Sequence, residues 1–240
     1  MREPSVGDQD HAVTFRDRAV YVSGANALVV ADLHLGRDYT SAVEATLGER
    51  AAILDRLAGL LRHCRPAEVV VAGDILHAFD ELPPGVEDAL AALRDLVEEE
   101  GAALELVVGN HDSMLEQIAD AGREYHLADG ETVVRHGDEL PSGSADAARY
   151  VIGHDHPAIR IEGRRHPCFL CGTSTQVDAD VVVLPSFNPL CVGTLVNGLS
   201  SADFGTPFID DTSAFHPVVY NATVGEPLRF PSLAQLNPFL

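Results

Sequence analysis

Five apolar runs in this chain end in Asp, Asn or His, and that recurrence constrains the fold more than any other feature. The runs ALVVADLH, VVVAGD, LVVGNH, VVRH and VIGHDH deliver Asp32 and His34, Asp74, Asn110 and His111, His136, and finally His154 and His156. Unbroken runs of Val, Leu, Ile and Ala read as strands covered on both faces. A polar residue directly behind such a run stands at the strand's C-terminal end, the edge where open α/β sheets bind ligands. One histidine after a strand is more often a satisfied core or surface residue. The joint pattern, with glycine nearby wherever the backbone must turn sharply, argues instead for convergence on one place. Carboxylate and amide oxygens with neutral imidazole nitrogens are the donor set that a pair of divalent metal ions requires.

Between the runs lie segments of helical spacing: VEATLGERAAILDRLAGLLRHC, EDALAALRDLVEEE, and the shorter SMLEQIADAG, with Ser113 as its N-cap. The first half therefore reads as βαβ with a largely parallel sheet. From Glu131 onward the chain turns to strands (ETVVRHGD, RYVIGHD, PAIRIEG, PCFLCG, DADVVVLP, CVGTLVNG, AFHPVVYN), broken by the loose PSGSADAA. The expected class is α/β, with two sheets packed face to face and helices outside. Its 240 residues fit a single domain spanning 1–240.

The second histidine pair sets a local problem. In an extended YVIGHDHPAIR, alternate side chains share a face, so His154 and His156 would point together and Asp155 away, towards solvent.

Charge limits the partners. The chain carries 37 acidic and 16 basic residues, a formal net charge of −21, and every basic residue is arginine. Spread evenly over a lysine-free surface, this acidity matches the habit of salt-loving archaea, where concentrated salt screens self-repulsion; an acidic protein from a GC-rich mesophile is the alternative. No apolar run approaches the roughly 20 residues of a membrane span, and the N-terminus lacks the apolar core of a signal peptide, so no membrane association and a cytoplasmic location are expected. Cys168 and Cys171 form a CxxC without a second pair, which favours ordinary strand residues over a zinc site.

The ordered set DLH (from Asp32), GDILH (from Gly73), GNHD (from Gly109), HG (from His136) and GHDH (from Gly153) resembles the five motif blocks of the calcineurin-like metallophosphoesterases. ADLHLG, PCFL and LPSFNPL further resemble the SbcD-like archaeal phosphoesterases, relatives of double-strand-break repair nucleases. The resemblance implies a four-layer αββα sandwich. It implies that Asp32, His34 and His156 hold one metal, that Asn110, His136 and His154 hold another, and that Asp74 bridges them. Manganese is its usual metal, with iron or zinc compatible with the same donors. A bridging hydroxide would then attack phosphorus in line, and His111 would protonate the leaving oxygen. Asp112 either orients His111 or is an exposed carboxylate at the start of the short helix. Arg37 either contacts the phosphate or is a surface arginine. His77 either lines the site or packs beside it, and His11, His63, His126 and His216 are read as structural or solvent-facing.

The resulting expectation is a phosphodiesterase acting on a nucleic acid or nucleotide. The alternatives are a phosphomonoesterase or nucleotide hydrolase with a small substrate, and a non-catalytic scaffold of the same fold. Against nucleic acid stands the lack of a basic stripe, Arg164 and Arg165 being the only adjacent basic pair. A DNA-processing partner protein could supply those contacts.

Overall fold

The computed structural model describes residues 12–37, 48–143 and 147–236. In strand β4 (Glu68–Ala72), Val69 and Val71 enter one apolar cluster while Val70 and Ala72 enter another. Continuous hydrophobicity thus marks a strand covered on both faces, as its sequence implies. The first sheet runs β1 (Val13–Arg16), β2 (Ala19–Val22), β3 (Ala27–Val30), β4 and β5 (Ala103–Val107), in that order. Strands β3, β4 and β5 are parallel. The antiparallel β1–β2 hairpin was not anticipated. It closes through a two-residue turn in which Asp17 takes φ 52°, left-handed backbone of the kind that matches strand twist in tight hairpins.

Helices α1 (Glu49–Cys64) and α2 (Val86–Glu99) lie on the outer face of this sheet. Their apolar stripes, Ile53, Leu57 and Leu61 on one and Leu90, Leu93 and Val97 on the other, share a core with Leu28, Val69 and Val71. The N-terminal part of the first helical pattern falls on residues 38–47, outside the described residues.

The later strands are β6 (Glu124–His126), β7 (Thr132–Arg135), β8 (Arg149–Ile152), β9 (Pro157–Ile161), β10 (Arg164–Pro167), β11 (Phe169–Ser174), β12 (Ala179–Val183), β13 (Thr194–Leu195), β14 (His216–Asn221) and β15 (Glu226–Arg229). Seven of them form the second sheet, in the order β15-β14-β11-β12-β8-β7-β6, and β10-β9-β13 form a small third one. Strands β7, β8 and β12 run parallel. The two large sheets meet face to face, with Val20, Val29, Val70 and Val107 against Val134, Val151, Val182 and Val218. Phe15 on β1 and Phe169 on β11 pin them together, ring centroids 4.9 Å apart.

The expected α/β sandwich is therefore present, but its helical layers are unequal. The outer face of the second sheet is closed by Ile159 of β9, by Phe204, Phe208 and Phe215 from an irregular segment, and by the one-turn helix α3 (Leu233–Leu236). The segment PSFNPLCVGTLVNGLSSADFGTPF has too many Pro, Gly and Ser residues for a helical stripe.

SMLEQIADAG forms only a 3₁₀ turn at Leu115–Gln117, capped by Met114 rather than Ser113. Its C-terminal part is drawn back beside β5, where Gly122 exchanges backbone hydrogen bonds with Leu106 and Val108 at 3.1 and 2.8 Å. Cys168 packs in the outer cluster of the second sheet and Cys171 against the cluster between the sheets. Three residues apart on extended chain, the two thiols point to opposite faces, which no shared ion can span. Among the described residues, no helix is long and apolar enough to cross a membrane.

Phe169 is buried at the contact between sheets. Phe169→Ala is expected to lower stability by about 3–5 kcal/mol, read from the denaturant midpoint; a loss below about 1 kcal/mol would contradict the pinning role.

Candidate metal centre

The parallel strands of both large sheets stop at one edge. Asp32 and His34 follow β3, Asp74 follows β4, and Asn110 and His111 follow β5; His136 follows β7, and His154 and His156 follow β8. Beyond the strands, the first two loops stay in register. Asp32 N donates to Gly73 O at 3.1 Å, His34 N to Asp74 O at 2.8 Å and Leu35 N to Ile75 O at 2.8 Å.

Aiming these side chains inward requires unusual backbone. Asp32, His34, Asp74, His154 and His156 take φ of 58°, 44°, 46°, 73° and 47°. Left-handed backbone at a residue with a side chain costs on the order of 1–3 kcal/mol and persists only where the surroundings enforce it. Two glycines are required by close approach: a Cβ on Gly109 would stand 2.3 Å from Asp74 N, and one on Gly153 would stand 2.6 Å from Asp32 Oδ2.

These turns correct the alternation expected for YVIGHDH. Strand β8 ends at Ile152, and the two histidines lie beyond it in left-handed turns, so the pleat does not set their directions. Both still reach the centre. His154 Nδ1 lies 3.0 Å from His136 Nε2, and His156 Nε2 lies 3.2 Å from His34 Nε2. Asp155 does not face solvent: it is 9% exposed and accepts hydrogen bonds from Gly205 N at 2.7 Å and Thr206 N at 3.1 Å.

The candidate residues gather into two groups that share Asp74. In the first, donor atoms of Asp32, His34, Asp74 and His156 all lie within 4.8 Å of one another. The second centres on His136 Nε2, which is 2.9 Å from Asn110 Oδ1, 3.0 Å from His154 Nδ1 and 3.4 Å from Asp74 Oδ1. One ring nitrogen can serve a single hydrogen bond, so three donor atoms crowded around it fit a shared cation better than a hydrogen-bond network. Mixed oxygen and nitrogen ligands suit manganese, iron or zinc.

The electrostatics agree. Burial, then the charge of Asp32, pushes the Asp74 carboxyl up to about 8. Burial would also raise Asp32, but His156, followed by His136 and His34, holds it below the usual carboxylate range. Burial drives His34 down to about 3, leaving a neutral ring with a lone pair to offer. Burial also lowers the His136 pKa, whereas the charge of Asp32 raises that of His156 despite its burial; a divalent cation held by these donors would offset the buried carboxylate charge.

His111 stands beside this cluster, with Nε2 3.8 Å from Asp74 Oδ2 and Nδ1 3.1 Å from the His77 carbonyl. The His77 ring lies 5.6 Å from that of His34 and 6.5 Å from that of His111, so it lines the rim. Arg37 is half-buried close by and, after burial, is the main charge lowering the His77 pKa. Asp112 is not exposed at a helix start; it is 2% exposed and accepts from Leu76 N at 2.8 Å, Ile75 N at 3.2 Å and Gly109 N at 2.7 Å. It staples the GNHD loop to the GDILH loop. His63, His126 and His216 are exposed, as read from sequence, and His11 lies outside the described residues.

Sequence reasoning overlooked two braces within LPSFNPL. The Ser186 hydroxyl donates to the Asp32 carbonyl at 2.7 Å. Asn188 Nδ2 donates to the Leu33 carbonyl at 2.8 Å and to Glu49 at the start of α1. The block drew notice only through family resemblance; its partners lie more than 130 residues away in sequence.

A family model described as calcineurin-like phosphoesterase matches residues 25–173, more than half of the chain. The crystal structure of Pseudomonas putida nuclease MPE aligns with a TM-score of 0.59 at 23% identity, covering 89% of this chain and 91% of that one, which shows a shared fold. Yfce, a phosphoesterase from E. coli, aligns more loosely, with a TM-score of 0.44 at 14% identity over 86% of this chain and 98% of that one. No curated protein matches the chain by sequence.

Asn188→Ala removes both donors from a fully buried site. It is expected to cost about 1–3 kcal/mol and to weaken manganese binding, measured by thermal unfolding with and without the metal; an unchanged transition and unchanged metal response would show that the brace is idle.

Proposed function

The chain belongs to the calcineurin-like phosphoesterase family, and from that premise we propose that it is a binuclear-metal-dependent phosphodiesterase acting on a nucleic acid or nucleotide. The observation that carries this reading is the sharing of Asp74 by two donor groups with His111 beside them. Asp32, His34, Asp74 and His156 would hold one ion, and Asn110, His136 and His154, again with Asp74, would hold the other. When bound, divalent ions of this kind supply Lewis acidity to phosphate oxygens and lower the pKa of water.

His111 serves as the proton donor to the leaving oxygen. When the ring is protonated, Nδ1–H donates to the His77 carbonyl and Nε2–H faces the site. After transfer, the same carbonyl holds the neutral ring in one tautomer. Asp112 acts on His111 only through the backbone, as a positioning residue. Arg37 is assigned to a phosphate oxygen, since a guanidinium matches that anion in shape and charge.

The enzyme is read as a single domain over 1–240 in the cytoplasm of a salt-adapted cell, a reading supported by the likeness of ADLHLG and LPSFNPL to SbcD-like archaeal proteins and by the evenly spread acidic residues. A small-substrate phosphomonoesterase is the second reading. It is favoured by the modest cleft beside Asn110 and His136, about 310 Å³, whose arginines Arg123 and Arg135 are already ion-paired to carboxylates.

With manganese in concentrated KCl, the chain is expected to hydrolyse bis-nitrophenyl phosphate faster than mono-nitrophenyl phosphate; activity on the monoester alone would overturn the diesterase reading. His111→Ala should retain its metals while turnover falls roughly 10²-fold or more, and unchanged turnover would remove His111 from the mechanism.

A further inference from the structure

One large apolar side chain at the rim of the centre is unexplained by the core. Phe79 is 48% exposed, although it stands only two residues beyond His77. Its ring packs on His111 with centroids 3.8 Å apart and planes 31° from parallel. The Phe79 backbone is held as well, its carbonyl accepting from the Ser113 hydroxyl of the GNHD loop. An aromatic ring fixed at both levels beside the proton donor, yet half open to solvent, offers a flat surface to whatever is attached to the scissile phosphate.

Charge indicates what that group is. A polyanion backbone is ordinarily held by clustered basic residues, but here the formal net charge is −21. The cleft beside Asn110 and His136 is lined by Glu116, Asp138 and Glu139; Arg135 is paired with Glu124 and Glu139, and Arg123 with Glu139. Neighbouring phosphates therefore gain little from this surface, and concentrated salt would weaken any such gain further. Affinity for the remainder of the substrate has to come from uncharged contact. Stacking of a base on an aromatic ring meets that requirement, because it tolerates salt and any base sequence, and it is worth roughly tenfold to hundredfold in affinity per base.

We infer that Phe79 is a stacking platform for the nucleobase next to the scissile phosphodiester, so that the substrate is a base-bearing diester such as a dinucleotide or a strand end. This rests on the phosphodiesterase reading above and adds a specificity-determining residue to it.

The test compares wild type, Phe79→Ala and Phe79→Trp on a dinucleotide and on its abasic backbone, with manganese in concentrated KCl. Calorimetry gives the binding and initial rates give KM and kcat. Phe79→Ala should weaken dinucleotide binding and raise its KM by about tenfold or more, leave the abasic compound within about twofold, and be rescued by Phe79→Trp. Equal losses on the two compounds, or a fall in kcat alone, would overturn the inference and leave Phe79 only a support for His111. Wild type that turns over neither compound would instead remove the phosphodiesterase reading, and the base-dependence of binding would still be decided by calorimetry.

Discussion

Two carboxylates, Asp32 and Asp74, are buried side by side at the edge where two sheets meet, and the surrounding structure is arranged around that unfavourable pairing. Removing one charge from water costs several kcal/mol, and a second like charge adds to it. In this chain the cost falls on Asp74, whose pKa rises, while histidines shelter Asp32. His34 beside the pair stays neutral, with a lone pair to offer. A divalent cation would turn this repulsion into attraction, and under the proposed function Asp74 would serve two such ions.

The remaining architecture keeps that cluster from relaxing. Paired valine-rich sheets fix where the strands end, and left-handed turns at five of the candidate ligands direct the side chains inward. Asp112 joins two loops of the first sheet, Ser186 and Asn188 hold the carbonyls of the Asp32 loop, and Asp155 anchors the histidine loop to Gly205 and Thr206. Each brace is a buried side chain meeting backbone groups of the irregular segments around the centre. Rigid placement of this kind is what positioning and charge stabilisation demand of a hydrolytic site.

Much of this was legible in sequence because buried strands are written in local composition. Valine-rich runs located β3, β4, β5, β7 and β8, and the polar residues behind them located the centre. What escaped was non-local or set by backbone angle. The strand from Val13 to Arg16 alternates polar with apolar residues and carries no buried-run signal. The direction of Asp155 depended on φ values that a pleated strand does not possess. The partners of Asp112 and Asn188 lie on other loops, and Phe79 reads in sequence as one more apolar residue; only the fold sets it against His111.

If Asp74 joins two ion sites, the number of metal ions bound per chain depends on it. Manganese stoichiometry by calorimetry, checked by elemental analysis, should give two ions per chain for wild type and no tightly bound ion for Asp74→Ala, with the variant still folded by circular dichroism. Two ions retained by Asp74→Ala would contradict the shared-ligand account.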